Sequence, residues 1–301
     1  MGMSLRQIRY FLAAAEKGQV SLAAASLNVS QSTVTAALQQ LELELGVSLF
    51  RRLPSGVELT AEGSRFVTHA RNVIAAVMAA QRAPLTEDRA LRGVVRVAVT
   101  YTVAGYFLPP HYARFARAYP DIRVELSELP RPAIEQGLRE DAFDLAVMLV
   151  SNLQDREALA CETLFRSRRR LWLPVEHPLL SAESITLEDV ANLPYVMLTV
   201  DEASQTASRY WAPTGLSPNV IFTTSSVEAV RSMVADGLGV TILSDMVYRP
   251  WSLEGQRIEQ RNLAFPVPTM DVGLAWPLGK KLGSAARAFA DFLSLSVSGG
   301  A

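Results

Sequence analysis

Apolar residues recur at three- and four-residue intervals through the first eighty positions. Leu5, Ile8, Phe11, Leu12 and Ala15 form one such stripe, which predicts a helix with one buried face that ends at Gly18. A second helix starts after Ser21, where Leu22, Ala23, Ala24, Ala25 and Leu27 make a surface small enough for another helix to cross closely. Asn28, Val29 and Ser30 form a short turn. Ser30 is suited to cap a third helix, whose buried stripe is Val34, Leu38, Leu41 and Leu45 and which stops at Gly46. The apolar run Val47 to Phe50, the pair Arg51 and Arg52, a Pro54-Ser55-Gly56 turn and the alternation of Val57, Glu58 and Leu59 then spell a hairpin. Thr60 can cap a long helix from Ala61 to about Arg82. On it Phe66, Ala70, Val73 and Val77 share a seam, with Val67, Ile74 and Met78 beside it, at coiled-coil intervals of four, three and four. Pro84 ends or kinks this helix at Ala83, and Thr86 to Arg92 reads as a charged hinge.

From Val94 onward the pattern becomes strands alternating with helices. Strands are expected at Val95 to Val99, Ile122 to Leu126 and Leu145 to Leu149, with helices from about Phe107 to Ala118 and near Ala133 to Arg139. A second set follows, with strands at Arg170 to Leu173, Tyr195 to Leu198, Val220 to Thr223 and Gly239 to Leu243, and helices near Ala203 to Trp211 and Val227 to Ala235. A last strand, Val272 to Trp276, and a last helix, Ala285 to Leu295, close the chain. Such alternation predicts a mainly parallel sheet covered by helices on both faces.

Composition narrows the class. The chain has 301 residues, 49% hydrophobic and 20% charged, enough for two or three units with their own cores. No stretch approaches the ~20 apolar residues of a membrane span. The first ten residues, with Arg6, Gln7 and Arg9, pass into an amphipathic pattern without an apolar signal core, which predicts a cytoplasmic protein and no membrane partner. Cys161 is the single cysteine, so no intrachain disulfide forms, and His69, His111 and His177 have no metal-ligand spacing; no metal and no cofactor are expected. Residues 1 to 92 hold ten Lys+Arg against seven Asp+Glu, net +3, while the remainder of a chain of net charge −1 carries −4. That asymmetry suits a polyanion at the N-terminus.

The third helix presents Gln31, Ser32, Thr33, Thr35 and Gln39 opposite its buried stripe. Their amides and hydroxyls match base edges and phosphates, and the N-terminal end of the helix favours a phosphate. The other reading of this face is a solvated side of a small helical bundle. The hairpin tips the balance, because Arg51 and Arg52 at its base would lie against a DNA backbone as the wing of a winged helix-turn-helix does.

Ala25, Leu27, Ser30, Gln31, Val34, Leu41, Glu42, Leu45, Gly46, Leu49, Phe50, Arg52, Leu59, Thr60 and Gly63 together resemble the signature of LysR-type transcriptional regulators. The resemblance runs over essentially the whole chain and is most specific in residues 5 to 65. Ser32 departs from the proline that commonly follows the Ser-Gln pair, and Ala37 from a frequent glutamine. The family implies a winged helix-turn-helix over 1–60, a linker helix over 61–92 that pairs two chains through Phe66, Ala70, Val73 and Val77, and a two-lobed α/β domain of periplasmic-binding-protein type over 93–301. Lobe 1 would comprise about 93–165 and 266–301, and lobe 2 about 166–265. It implies a sequence-specific regulator that binds double-stranded DNA, responds to a small-molecule effector between the lobes and assembles as a dimer of dimers. Within the linker, packing of the helix on the chain's own body is the competing reading.

Ligands of open α/β sheets sit beyond the carboxyl ends of strands. That rule selects Thr100, Tyr101 and Thr102 after the first strand, Met148 after the third, and Thr199, Asp201, Ser225 and Ser226 in the second lobe. By resemblance, the hydroxyls at Thr100, at Thr102 and at the starts of the second-lobe helices face the effector. Ser225 and Ser226 also read as simple helix caps, and Glu128 as a solvated strand end. A two-lobed small-molecule-binding protein or enzyme whose N-terminal helices serve only assembly is the alternative function. No nucleophile elbow, phosphate loop or dinucleotide fingerprint occurs, since Gly237 and Gly239 precede a strand; the chain is therefore expected not to be an enzyme.

Overall fold

The computed structural model describes residues 2–53, 56–82 and 91–298. The expected Pro54-Ser55 turn, the Pro84 kink, most of the hinge after it and the side chain of Met78 lie outside the described residues. The chain divides into two compact units, Met1–Leu91 with Ala288–Ala301, and Arg92–Arg287. The sequence reading carries lobe 1 through 301, whereas this division ends the second unit at Arg287.

In the first unit, α1 (Leu5–Lys17) begins with a reciprocal cap. Ser4 Oγ accepts from Gln7 N, and Ser4 N donates to Gln7 Oε1, so two otherwise orphaned N–H groups are satisfied. Next come α2 (Val20–Ser26) and α3 (Gln31–Leu45). Gly18 and Gly46, at φ +65 and +68, take the left-handed turn that ends α1 and α3. Phe11 is fully buried, its ring 5.3 Å from Phe50 and 5.0 Å from Phe66, and around it pack Ile8, Ala23, Val34, Leu38 and Leu41.

The wing is a two-stranded antiparallel hairpin, β1 (Phe50–Leu53) and β2 (Gly56–Leu59), held at three places. Glu42 on α3 accepts from the backbone N–H of Leu49 at 2.6 Å and of Phe50 at 3.0 Å. Val57 N donates to Gly18 O, and the same approach leaves no room at Gly56, where a Cβ would sit 2.2 Å from that carbonyl. Thr60 Oγ1 donates to Ser48 O and accepts from Gly63 N at the start of α4 (Ala61–Arg82). Glu42 and Gly63, read above only as part of a signature, and Thr60, read also as a cap, thus tie the hairpin to the helices.

The α4 seam faces its own unit. Ala70 and Ile74 are buried in the N-terminal core and Phe66, Val67 and Val73 pack against it, while Val77 is half-buried. Phe66 is drawn inward by its edge contact with Phe11. For Phe66, Ala70 and Val73 the observed partner is therefore the chain's own body.

The second unit contains a five-stranded sheet of order β4-β3-β5-β12-β6. β3 (Gly93–Val99) pairs in parallel with β4 (Ile122–Glu128) and β5 (Leu145–Leu149); β12 (Met270–Pro277) runs antiparallel to β5 and to β6 (Leu159–Ser167). Short α5 (Tyr101–Tyr106), α6 (Leu108–Ala118) and α7 (Arg131–Arg139) belong to this lobe. The other lobe has an antiparallel sheet of order β10-β7-β11, built from β7 (Arg169–Pro174), β10 (Thr241–Ser244) and β11 (Ile258–Arg261), and a parallel pair, β8 (Pro194–Leu198) and β9 (Asn219–Thr224). A bridge between Tyr195 and Val240 links the pair to the sheet. Its helices are α8 (Leu187–Ala191), α9 (Ala203–Trp211) and α10 (Val227–Ala235), and α11 (Ser284–Ser298) ends the chain.

These sheets are mixed, not mainly parallel as expected. Hydrophobic alternation encodes which face of a strand is buried and not its direction; direction follows from where the chain returns, and β12 re-enters the first lobe from the second. Four elements were missed, the five-residue α8 and three that lack a buried period. β6 exposes Cys161, Glu162 and Thr163 at a sheet edge, β11 is the polar run Ile-Glu-Gln-Arg, and α5 has only six residues.

Asp144 aligns β5 with β3. Its carboxylate accepts from Arg96 N and from the Arg96 guanidinium, both at 2.8 Å. Burial pushes the Asp144 carboxyl up, but the two kinds of hydrogen bond from Arg96 and its charge outweigh that and hold it below the usual value of 3.8.

Two outcomes are expected. Glu42→Ala should lower the stability of the first unit by about 1–3 kcal/mol for each N–H left without a partner, and Glu42→Gln, which keeps an acceptor, should restore most of it in thermal denaturation. Asp144→Asn should destabilise the protein at neutral pH. Since the folded carboxyl is depressed, its contribution is present above pH 3.8 and lost as pH falls through the lower folded value, so urea titrations of variant and parent should converge in acid.

Candidate functional site

Two groups of residues carry the chemistry, one in each unit. In the first, a cleft of about 560 Å³ runs between α2, α3 and the wing and is lined by Gln19, Ser21, Gln31, Thr35, Gln39 and Arg52, among others. The Ser30 hydroxyl caps α3 by accepting from Thr33 N at 3.2 Å and also meets the hydroxyls of Ser32 and Thr33 at 2.9 and 2.7 Å. This cap fixes the first turn, so that Gln31, Ser32 and Thr33 stand exposed side by side, with Gln39 two turns on. Thr35 is half-buried, and its hydroxyl donates back to Gln31 O, which leaves its oxygen only as an acceptor. Ala37 packs against the core.

The two wing arginines differ. Arg51 lies directly across the hairpin from Glu58 and is ion-paired with it, an interaction that raises the pKa of its guanidinium. Arg52, exposed and opposite Val57, lines the cleft. Sequence reasoning missed Gln19 and Ser21; both flank the start of α2, and only the approach of the wing to the α1–α2 turn brings them beside α3.

In the second unit the selected residues separate. Thr100 is 2% exposed at the N-cap position of α5, and its hydroxyl has no hydrogen-bond partner. Tyr101 is exposed, whereas Thr102 is buried. Met148 is a correction: it is fully buried in the core with Ile134, Leu138 and Ala275, because β5 is covered on both faces. Thr199 Oγ1 donates to Thr224 O, Ser225 is exposed, and Ser226 caps α10 by accepting from Ala229 N. Glu128 is exposed.

Asp201 is the residue whose setting was least foreseen. Its Oδ2 accepts from Thr102 N at 2.7 Å and from the Thr102 hydroxyl, and its carbonyl accepts from Asn152 Nδ2 at 2.8 Å. Glu202 beside it accepts from Arg131 Nε at 3.1 Å, and Glu228 accepts from Tyr106 OH at 3.2 Å. These pairs are 49 to 122 residues apart in sequence, and no local periodicity signals them. The Asp201 carboxylate, selected from the sequence as a ligand contact, thus already has two donors within the chain.

Among the described residues no helix is long and apolar enough to cross a membrane, and no group of three or more His, Cys, Asp or Glu is placed to hold a metal ion.

Residues 5–64 match the family described as bacterial regulatory helix-turn-helix protein, lysR family, and residues 88–296 match the LysR substrate binding domain. The transcriptional regulator AlsR of Bacillus subtilis is 30% identical over 256 residues, 84% of this chain and 84% of its own length. CysB of Burkholderia cenocepacia is 28% identical over 85% of this chain and 82% of its own. Among solved structures, the LysR family regulator HinK of Pseudomonas aeruginosa superposes with a TM-score of 0.63 at 28% identity, covering 97% of this chain and 98% of its own. With a helix-turn-helix whose polar face lies open beside a wing arginine, and a two-lobed α/β domain later in the chain, the chain belongs to the LysR family of DNA-binding transcriptional regulators with an effector-binding domain.

Proposed function

We propose that Gln31, Ser32, Thr33, Thr35 and Gln39 read base edges of double-stranded DNA, that Arg51 and Arg52 hold its backbone, and that a small-molecule effector enters between the lobes beside Thr100, Tyr101, Thr102, Thr199 and Ser225. The observation that carries the DNA reading is the cleft in which the exposed amides of α3, the start of α2 and Arg52 of the wing share one surface. Amides and hydroxyls there match base edges, and an unpaired guanidinium at the rim matches a phosphate. In this reading the functional divisions are 1–60, 61–92 and 93–301, and the protein works by binding and not by turnover, in the cytoplasm. Two chains pair through α4, and two such dimers form a tetramer. Because Phe66, Ala70 and Val73 pack inward, the pairing contact centres on Val77.

A mobility-shift assay on DNA upstream of the chain's own gene, run beside a turnover screen, tests the function. Thr33→Ala should weaken specific sites by about 1–3 kcal/mol and leave non-specific binding alone. Arg52→Ala should weaken all sequences and reduce the slope of log affinity against log salt by about 1. Arg51→Ala should do less, its guanidinium being already paired with Glu58. An Arg52→Ala protein that is folded and keeps parental affinity and salt dependence rejects the wing contact. For the linker, Val77→Glu should dissociate dimers in sedimentation velocity, whereas Val73→Glu should chiefly destabilise the first unit, where the charge would be buried.

A further inference from the structure

Five hydrogen bonds between the two lobes share a polarity, while Arg249 of the second lobe lies over the Tyr106 ring of the first at 5.4 Å. Every donor named above comes from the first lobe: the Thr102 N–H and hydroxyl and the Tyr106 hydroxyl on α5, the Arg131 guanidinium on α7, and the Asn152 amide after β5. Their acceptors come from the second lobe: Asp201 and Glu202 after β8, and Glu228 on α10. Asp201 and Glu202 are consecutive and both hold the left-handed conformation, at φ +49 and +58. Neither is glycine, and such conformations persist where the surroundings over-determine them. Here the surroundings are the opposite lobe. Thr102 takes the Asp201 carboxylate, Arg131 takes that of Glu202, and Asn152 donates to the carbonyl between them.

We infer that Asp201 and Glu202 form a latch that holds the lobes together while the cleft is empty, and that effector entry opens it. The inference rests on the reading of the cleft as the effector site and adds its regulation. Thr102, selected above as a ligand contact, is occupied by the chain's own carboxylate. A ligand that uses Thr102 must first displace Asp201, so part of its binding free energy goes into parting the lobes. That coupling lets occupancy of the cleft change the lobe angle, which a ligand indifferent to the two states cannot do. Arg131 also pairs with Glu135 on its own helix, at 3.1 Å, so its charge retains a partner when Glu202 leaves. The first-lobe side of the latch is thus stable in both states, and the strained second-lobe pair is the part that moves.

The test uses the full chain without ligand. Cys161 on β6, exposed and the single cysteine, and a second cysteine introduced at exposed Ser181 in the other lobe carry spin labels, and the labelled chain is diluted into unlabelled chain so that only distances within one subunit are read. Pulsed electron paramagnetic resonance should give a narrow distance distribution for the parent. Asp201→Gly removes the carboxylate and tolerates the left-handed backbone, and it should lose the narrow peak to a broad distribution shifted in mean. Asp201→Asn keeps one acceptor for the Thr102 N–H and should fall between them. Circular dichroism of each variant verifies folding. A folded Asp201→Gly protein with the parental distribution overturns the latch, and so does a parent whose distribution is already as broad as the variant's. Since no ligand enters the experiment, either result leaves the effector reading standing, to be judged by DNA binding and ligand titration.

Discussion

Two backbone N–H groups, those of Leu49 and Phe50, leave the end of α3 with no strand partner, and the Glu42 carboxylate accepts both. A partly buried N–H without an acceptor is costly, so the hairpin entry is confined to one place relative to α3. Everything proposed for DNA recognition depends on that constraint. Arg52 lines the same cleft as Gln31 and Gln39 because β1 starts where Glu42 holds it, and Val57 then reaches Gly18 to pin the far strand. Phe50, fixed by its N–H, places its ring against Phe11, and Phe66 closes on the other side of that ring. One carboxylate thereby sets the wing, and one phenylalanine the core beneath it.

That core also decides what the linker helix has left to offer a second chain. A stripe of Phe66, Ala70 and Val73 satisfies the spacing of a coiled coil and equally the spacing of a helix packed on its own domain. Within one chain these three residues lie on the N-terminal core, because α4 follows the wing directly and Thr60 fastens its first turn to Ser48. The intramolecular contact has no association entropy to overcome.

The second unit is organised by charge as much as by packing. Donors on the first lobe meet the carboxylates of Asp201, Glu202 and Glu228 on the second, although Glu228 is also paired with Arg231 of its own helix. The latch proposed above rests on two features of this arrangement, the polar contacts across the lobes and the left-handed backbone of Asp201 and Glu202.

Local features of this protein were legible in its sequence for a physical reason: they depend on neighbours within a few residues. The caps at Ser30 and Ser226, the helix ends at Gly18 and Gly46, the bounds of α9 and α10 and the polar face of α3 all follow from short-range hydrogen bonding and the 3.6-residue period. The LysR signature was visible because it is an order of residue types along the chain, most specific in residues 5 to 65. What only tertiary structure decided involves residues far apart or elements with no buried period. Strand direction in the mixed sheets, the edge strands β6 and β11, the burial of Met148 on a strand covered on both faces, and the inward turn of Phe66 and Ala70 belong to that class. So does the engagement of Asp201 by Thr102, 99 residues apart, since a carboxylate's partner is chosen by the three-dimensional approach of two lobes and leaves no trace in the residues beside it.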